Sequence, residues 1–161
     1  MQTLVNVGVA QLKISSTPSV LRTILGSCVG ICIYDKTKKI GGLAHVLLPQ
    51  DSGSNDGKPE KYANTAIPLL IQMLEKEGCN KGSMSAKIAG GASMFKFKSN
   101  THLAQIGERN IEMTKKVLQE NSIPITIEDL GGNTGRVIDF FLEDGRLKIK
   151  ASGKEKVYYK T

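Results

Sequence analysis

Two residues carry the chemistry this sequence offers: Cys28, in LGSCVGICIYD, and His45, in GGLAHVLLP. A free thiol of pKa about 8.5 is only a few per cent ionised at neutral pH, and a neighbouring imidazole that takes its proton turns it into a nucleophile. Whether the two meet depends on the elements that hold them. VGICIYD reads as a strand in which Val29, Ile31 and Ile33 share one face while Cys28, Gly30, Cys32 and Tyr34 share the other. KTKK makes a polar turn, and Ile40 to Leu48 reads as the returning strand of a hairpin, stopped by Pro49. If the turn holds two residues, Cys28 lies opposite His45; if it holds four, His45 lies opposite Gly30, one pair along on the same face. A three- or five-residue turn would defeat the arrangement. Directly opposed Cβ atoms stand roughly 4.5–5.5 Å apart, which brings a thiol and an imidazole within hydrogen-bonding reach.

Gly30 would leave space beside the sulfur for a substrate chain, and the N–H groups of a Gly26–Ser27 turn are candidates for an oxyanion hole. Composition alone favours a plainer reading, in which a cysteine in an apolar strand is a small buried hydrophobe and a histidine between Ala44 and Val46 is a satisfied core residue. Cys32 lies roughly 13 Å along the strand from Cys28, too far to share a zinc ion, and reads as core. Cys79 follows the helix-ending Gly78 and packs or sits in a loop; His102, in KSNTHLAQ, reads as a surface residue. GGAS and GGNTGR lack the ending of a P-loop and the spacing of a dinucleotide fingerprint, so both read as tight turns. LGSCV is not a G-x-S-x-G elbow, which leaves Ser27 a weak nucleophile that would instead orient the site.

The rest of the chain must form the scaffold. Leu4 to Ile14 is β-like, broken by Ser15, Ser16 and Pro18 before a second run from Val20 to Leu25. Asp51 to Lys61 is polar and Gly-rich, an exposed, mobile loop suited to a lid. A helix capped by Asn64 or Thr65, with Pro68 in its first turn, buries Ile67, Leu70, Ile71 and Leu74 and ends at Gly78. Strand Met84–Ala89 precedes a second amphipathic helix from about Glu108 to Asn121, with Ile111, Val117 and Leu118 inward. Then come strand Ile125–Leu130, a hairpin of Val137–Leu142 with Arg146–Lys150, and an edge strand near Val157–Tyr159. About two helices and seven or eight strands without regular alternation predict a single α+β domain over 1–161, with helices outside β-sheets.

Bulk properties narrow the function. The 161 residues include 22 basic and 15 acidic ones, for a net charge of +7. The lysines are scattered and aromatics make up only 5% of the chain, so a solvated basic surface fits better than nucleic-acid binding. No run approaches the roughly 18 apolar residues of a membrane span, and no signal peptide is evident. Three irregularly spaced cysteines suit a reducing compartment, so a cytoplasmic location is expected.

LGSCVGICIYD, GGLAHVLLP, KYANTAIPLL, AKIAGGASMF, IGERN and EDLGGNTGRVIDF occur in this order from about Val5 to the final hairpin. Together they resemble the CheD family of chemoreceptor glutamine deamidases. The resemblance implies a β-sandwich of mixed sheets with flanking helices, similar to bacterial toxin deamidases. It implies Cys28 as nucleophile and His45 as general base, in a cysteine hydrolase that converts receptor glutamines to glutamates with release of ammonia. Some members are also credited with hydrolysing glutamyl methyl esters. A threonine a few residues before the cysteine is the family's third catalytic element; it corresponds to Thr23, unless the register falls on Arg22. The implied partners are methyl-accepting chemotaxis receptors as substrate and a CheC-type phosphatase as regulator, with no nucleic acid, no membrane insertion, and no metal or organic cofactor. Rival expectations are an adaptor that regulates the phosphatase with little catalysis of its own, and a protease that cuts peptide bonds.

Overall fold

The alternation of Val29, Ile31 and Ile33 with Gly30, Cys32 and Tyr34 gives a strand with two apolar faces, which must be covered on both sides. In the computed structural model, which describes residues 2–93 and 105–161, this strand is central and buried at all seven positions. The described residues form, in chain order, β1 (Leu4–Asn6), β2 (Leu12–Ser16), β3 (Val20–Leu25), β4 (Val29–Asp35), β5 (Ile40–Val46), α1 (Ala63–Lys76), β6 (Met84–Gly90), α2 (Ile106–Glu120), β7 (Ile125–Leu130), β8 (Arg136–Phe141), β9 (Leu147–Ala151) and β10 (Lys154–Tyr158).

Two five-stranded sheets result, ordered β1-β3-β8-β9-β10 and β2-β5-β4-β6-β7. Each is mixed, because β1 runs parallel to β3 and β6 parallel to β7 while the other pairs are antiparallel. The faces of β4 divide as the alternation requires. Val29, Ile31 and Ile33 pack with Ile67, Leu70 and Leu74 of α1 and Leu118 of α2. Cys28, Cys32 and Tyr34 pack with Leu21, Leu25, Ile138 and Phe140 of the first sheet. The molecule is thus an α+β sandwich with one sheet covered by helices on its outer face. α1 comes close enough that a Cβ at Gly42 would collide with Leu70 Cδ1, so only glycine suits that point of β5.

The structure differs from expectation at several places. The run Leu4–Ile14 is two strands in different sheets, and Ser15 and Ser16 continue β2 instead of breaking it. The chain changes sheet at a turn where Ala10 takes a φ of 59°. This split, with a fully formed β10, makes ten strands among the described residues. β5 ends at Val46 because the N–H groups of Leu47 and Leu48 turn to the Lys61 carbonyl. α1 begins at Ala63, before either expected cap, since the Leu48 and Pro49 carbonyls accept from the N–H groups of Ala63 and Asn64 and no side chain caps it. Pro68 therefore lies inside the helix, beyond the first turn. Residues 51–58 are largely exposed but tied together: Asp51 accepts from the N–H groups of Gly53, Ser54 and Asn55, and Asp56 from Lys61 and Tyr62. His102 and the end of the AKIAGGASMF block lie outside the described residues.

Candidate active site

Asp35 sets the register of the β4–β5 hairpin. Its carboxylate accepts from the N–H groups of Thr37 and Lys38 at 2.9 and 3.1 Å, its carbonyl accepts from Lys39, and Lys39 takes a left-handed φ of 56°. The turn therefore holds four residues, Asp35 pairs with Ile40, and Gly30 pairs with His45. Cys28, just before β4 begins, is one pair further along on the same face. A diagonal of this kind spans roughly 7–8 Å, still within reach of an imidazole.

His45 is 2% exposed and leans across the sandwich toward β3. Alternation there turns Leu21, Thr23 and Leu25 inward and Arg22 and Ile24 outward. Ile24 is 69% exposed, and Arg22 forks onto Asp139 with nitrogen–oxygen distances of 2.6 and 2.9 Å. Thr23, not Arg22, meets the imidazole: its Oγ1 is 2.7 Å from His45 Nδ1. The same hydroxyl lies 2.6 Å from the Val7 carbonyl, which can only accept. A threonine has one hydroxyl proton, and Val7 takes it, so His45 Nδ1–H must donate to Thr23. The proton of the neutral ring is thereby placed on Nδ1, and Nε2 presents a lone pair. Nε2 is buried and has no hydrogen-bond partner among the described residues, Cys28 Sγ included. The structure thus brings Thr23 and His45 into contact and leaves Cys28 on their face without a bond to the ring.

Cys28 lies in a turn whose carbonyls are all taken. Gly26 O accepts from the Ala92 N–H at 3.0 Å, Cys28 O from the Gly91 N–H at 2.8 Å, and Ser27 O from Asn110 Nδ2 at 3.1 Å. Among the described residues the N–H of Ser27 has no acceptor and that of Cys28 faces only its own thiol, which leaves both as candidates for an oxyanion hole. The space expected above Gly30 is filled: a Cβ there would stand 3.0 Å from Ile138 Cδ1 and 3.1 Å from Leu25 Cδ1, because the first sheet packs against it. A depression of about 260 Å³ has Asn6, Val7, Gly8, Arg22, Thr23 and His45 in its walls, and Cys28 does not line it. A cleft of about 570 Å³ between Leu48–Gln50 and α2 includes none of Cys28, His45 and Thr23. Cys32 and Cys79 are buried, as core residues are.

Burial governs both ionisations. It pushes the Cys28 thiol above its ordinary value, opposed by the residue's own N–H, and pushes His45 down to about 4. Thiol and imidazole are therefore both neutral near pH 7. The unfolded imidazole titrates near ~6.5, so between that value and 4 the unfolded chain binds the extra proton. Stability is expected to be complete above pH 7 and to fall by about 3 kcal/mol as pH drops through that window. Urea unfolding of wild type and His45→Asn at pH 7 and pH 5 checks this; equal losses in the two proteins would refute it.

Asn110 was not singled out from the sequence as a functional residue. The available signal was a polar residue on the same buried stripe of α2 as Thr114, Val117 and Leu118.

Fold and site together define a class: a two-sheet α+β sandwich holding a thiol, an imidazole and a hydroxyl at the meeting of its sheets. Solved structures share the fold. The Neisseria meningitidis protein NMB0706, of family DUF152, aligns with a TM-score of 0.53 and 8% identity, over 82% of this chain and 65% of that one. The hypothetical protein YfiH of Bacillus licheniformis aligns at 0.50 and 17% identity, over 74% and 51%. The chain itself belongs to the CheD family, described as chemotactic sensory transduction, whose model matches residues 47–151. It is 50% identical to a probable chemoreceptor glutamine deamidase CheD of Clostridium kluyveri, over 92% of this chain and 93% of the relative. It is 46% identical to the chemoreceptor glutamine deamidase CheD of Halalkalibacterium halodurans, over 93% and 94%. No helix among the described residues is long and apolar enough to cross a membrane.

Proposed function

We propose that this protein hydrolyses specific glutamine side chains of chemotaxis receptors to glutamates, in the service of chemotactic adaptation, and that Cys28, His45 and Thr23 perform the reaction. The observation that carries the reading is the Thr23–His45 hydrogen bond, which leaves Nε2 as a base on the face that Cys28 shares. Nε2 takes the thiol proton as sulfur attacks the carboxamide carbon, and the N–H groups of Ser27 and Cys28 receive the developing oxyanion. The imidazolium returns that proton to the departing nitrogen, ammonia leaves, and a thioester remains. Nε2 then draws a proton from water, hydroxide adds to the thioester, and glutamate and free thiol are regenerated. The protein's own side chains supply every proton transfer. The resemblance to CheD proteins further supports action on the cytoplasmic receptor bundle and regulation by a CheC-type phosphatase.

A second reading, an adaptor acting on that phosphatase, is favoured by the raised thiol and by the missing Nε2–Sγ bond. Apo sites are often looser than their substrate complexes, which weighs on the other side. Incubation of a purified receptor cytoplasmic domain with this protein, followed by intact and peptide mass spectrometry, separates the readings. On the deamidase reading the receptor gains about one mass unit per modified glutamine, and alkylating Cys28 beforehand stops the gain. An unchanged receptor mass with folded enzyme would sink the deamidase reading; receptor fragments would indicate a protease.

A further inference from the structure

α2 buries one carboxamide among its apolar contacts. Asn110 is 0% exposed, and its Nδ2 donates to two backbone carbonyls, Ser27 O and Leu47 O, each at 3.1 Å. Ser27 immediately precedes Cys28, and Leu47 stands two residues after His45. One side chain, from an element that contributes nothing else to the site, therefore ties the nucleophile's turn to the end of the base's strand.

The other carbonyls of that turn are held by main-chain N–H groups, which no substitution other than proline removes: Gly26 O by Ala92 and Cys28 O by Gly91. Only Ser27 O depends on a side chain. Asn110 also leaves its Oδ1 buried without a partner among the described residues. Buried polar atoms are almost always matched, so an unmatched acceptor kept on a core-facing stripe marks a site where the other end of the group is needed.

We propose that Asn110 is a positioning residue: its two donated bonds set the separation between the Cys28 thiol and the His45 ring, and the bond to Ser27 O fixes the orientation of the Cys28 N–H in the same peptide unit. The proposal rests on the deamidase reading for its effect on turnover, and on geometry alone for its effect on the thiol.

The test compares wild type with Asn110→Ala, which removes both bonds, and Asn110→Asp, which sets an isosteric acceptor against two carbonyls. Displacement of a reacting group by an ångström can cost ~100-fold in rate. Accordingly kcat for a receptor cytoplasmic domain is expected to fall by about 100-fold with KM within about threefold of wild type. In the protein alone, iodoacetamide labelling of Cys28, located by peptide mass spectrometry, slows at pH 7 to the rate of His45→Ala, and its pH profile shifts to match. Circular dichroism and cooperative unfolding keep to variants that are folded; if the aspartate does not fold, the alanine variant decides. A folded variant with kcat within threefold of wild type, or with KM raised and kcat unchanged, overturns the proposal, as does unaltered labelling. If wild type itself converts no glutamine, the deamidase reading fails, and the labelling comparison alone judges Asn110.

Discussion

His45→Ala is expected to lower kcat/KM for glutamine conversion by roughly 10³-fold, through kcat with little change in KM. The size follows from the state of the thiol. Burial raises the Cys28 thiol, so in the proposed reaction the nucleophile forms only as its proton is transferred, with Nε2 as the acceptor. Thr23→Val is expected to cost less, about 10- to 100-fold. Without Oγ1 the Nδ1–H loses its acceptor in a buried site, and the ring is free to adopt the other tautomer, which points an N–H at the sulfur. Thr23→Ser keeps the acceptor and should recover most of the loss. Steady-state kinetics on a receptor cytoplasmic domain decide the series. Valine and serine variants of equal activity would show that the hydroxyl does not set the tautomer.

The pH profile follows from the same burial. A neutral thiol and a neutral imidazole exchange a proton internally, so kcat/KM for wild type should stay level from pH 7.5 down to about 5.5, below the ordinary histidine range.

The largest structural effect is expected at Gly90. This residue ends β6 with a φ of 111°, outside the conformations open to L side chains, and a Cβ there would run into the Cys28 carbonyl oxygen and stand 3.2 Å from Val29 Cα. Both obstacles are backbone, which cannot rotate away. Gly90→Ala is therefore expected to destabilise the fold by about 3 kcal/mol or more, the range in which backbone strain and core overpacking combine. Because the atom displaced is the one that accepts from the Gly91 N–H, the nucleophile's turn should shift even in molecules that remain folded. Urea unfolding gives the first quantity, and Cys28 labelling well below the unfolding midpoint gives the second. An unchanged midpoint would mean that the β6 end yields to a side chain without strain.

Sequence alone determined the features that repeat at short range. The period-two alternation of VGICIYD assigned Cys28, Cys32 and Tyr34 to one face and Val29, Ile31 and Ile33 to the other. The stripe Ile67, Leu70, Ile71 and Leu74 defined a buried helix, and Gly78 its end. Placing Cys28 and His45 on one face needed only an even-numbered turn. These readings hold because side-chain direction in a strand or helix is set by the local backbone, and each residue's neighbours report it.

Tertiary structure decided whatever depends on a partner far along the chain. Which even turn forms rests on Asp35 holding Thr37 and Lys38, and also Asn80. That Thr23 and not Arg22 reaches the imidazole depends on β3 and β5 lying in different sheets that face each other, a relation no spacing within either strand contains. Closure of the space over Gly30 by Leu25 and Ile138 is likewise a matter of sheet packing. Asn110 reaches Ser27 across 83 residues of chain and Leu47 across 63. Hydrophobic pattern tells a segment which side to bury; only the assembled sheets and helices tell a buried polar atom which group it will meet.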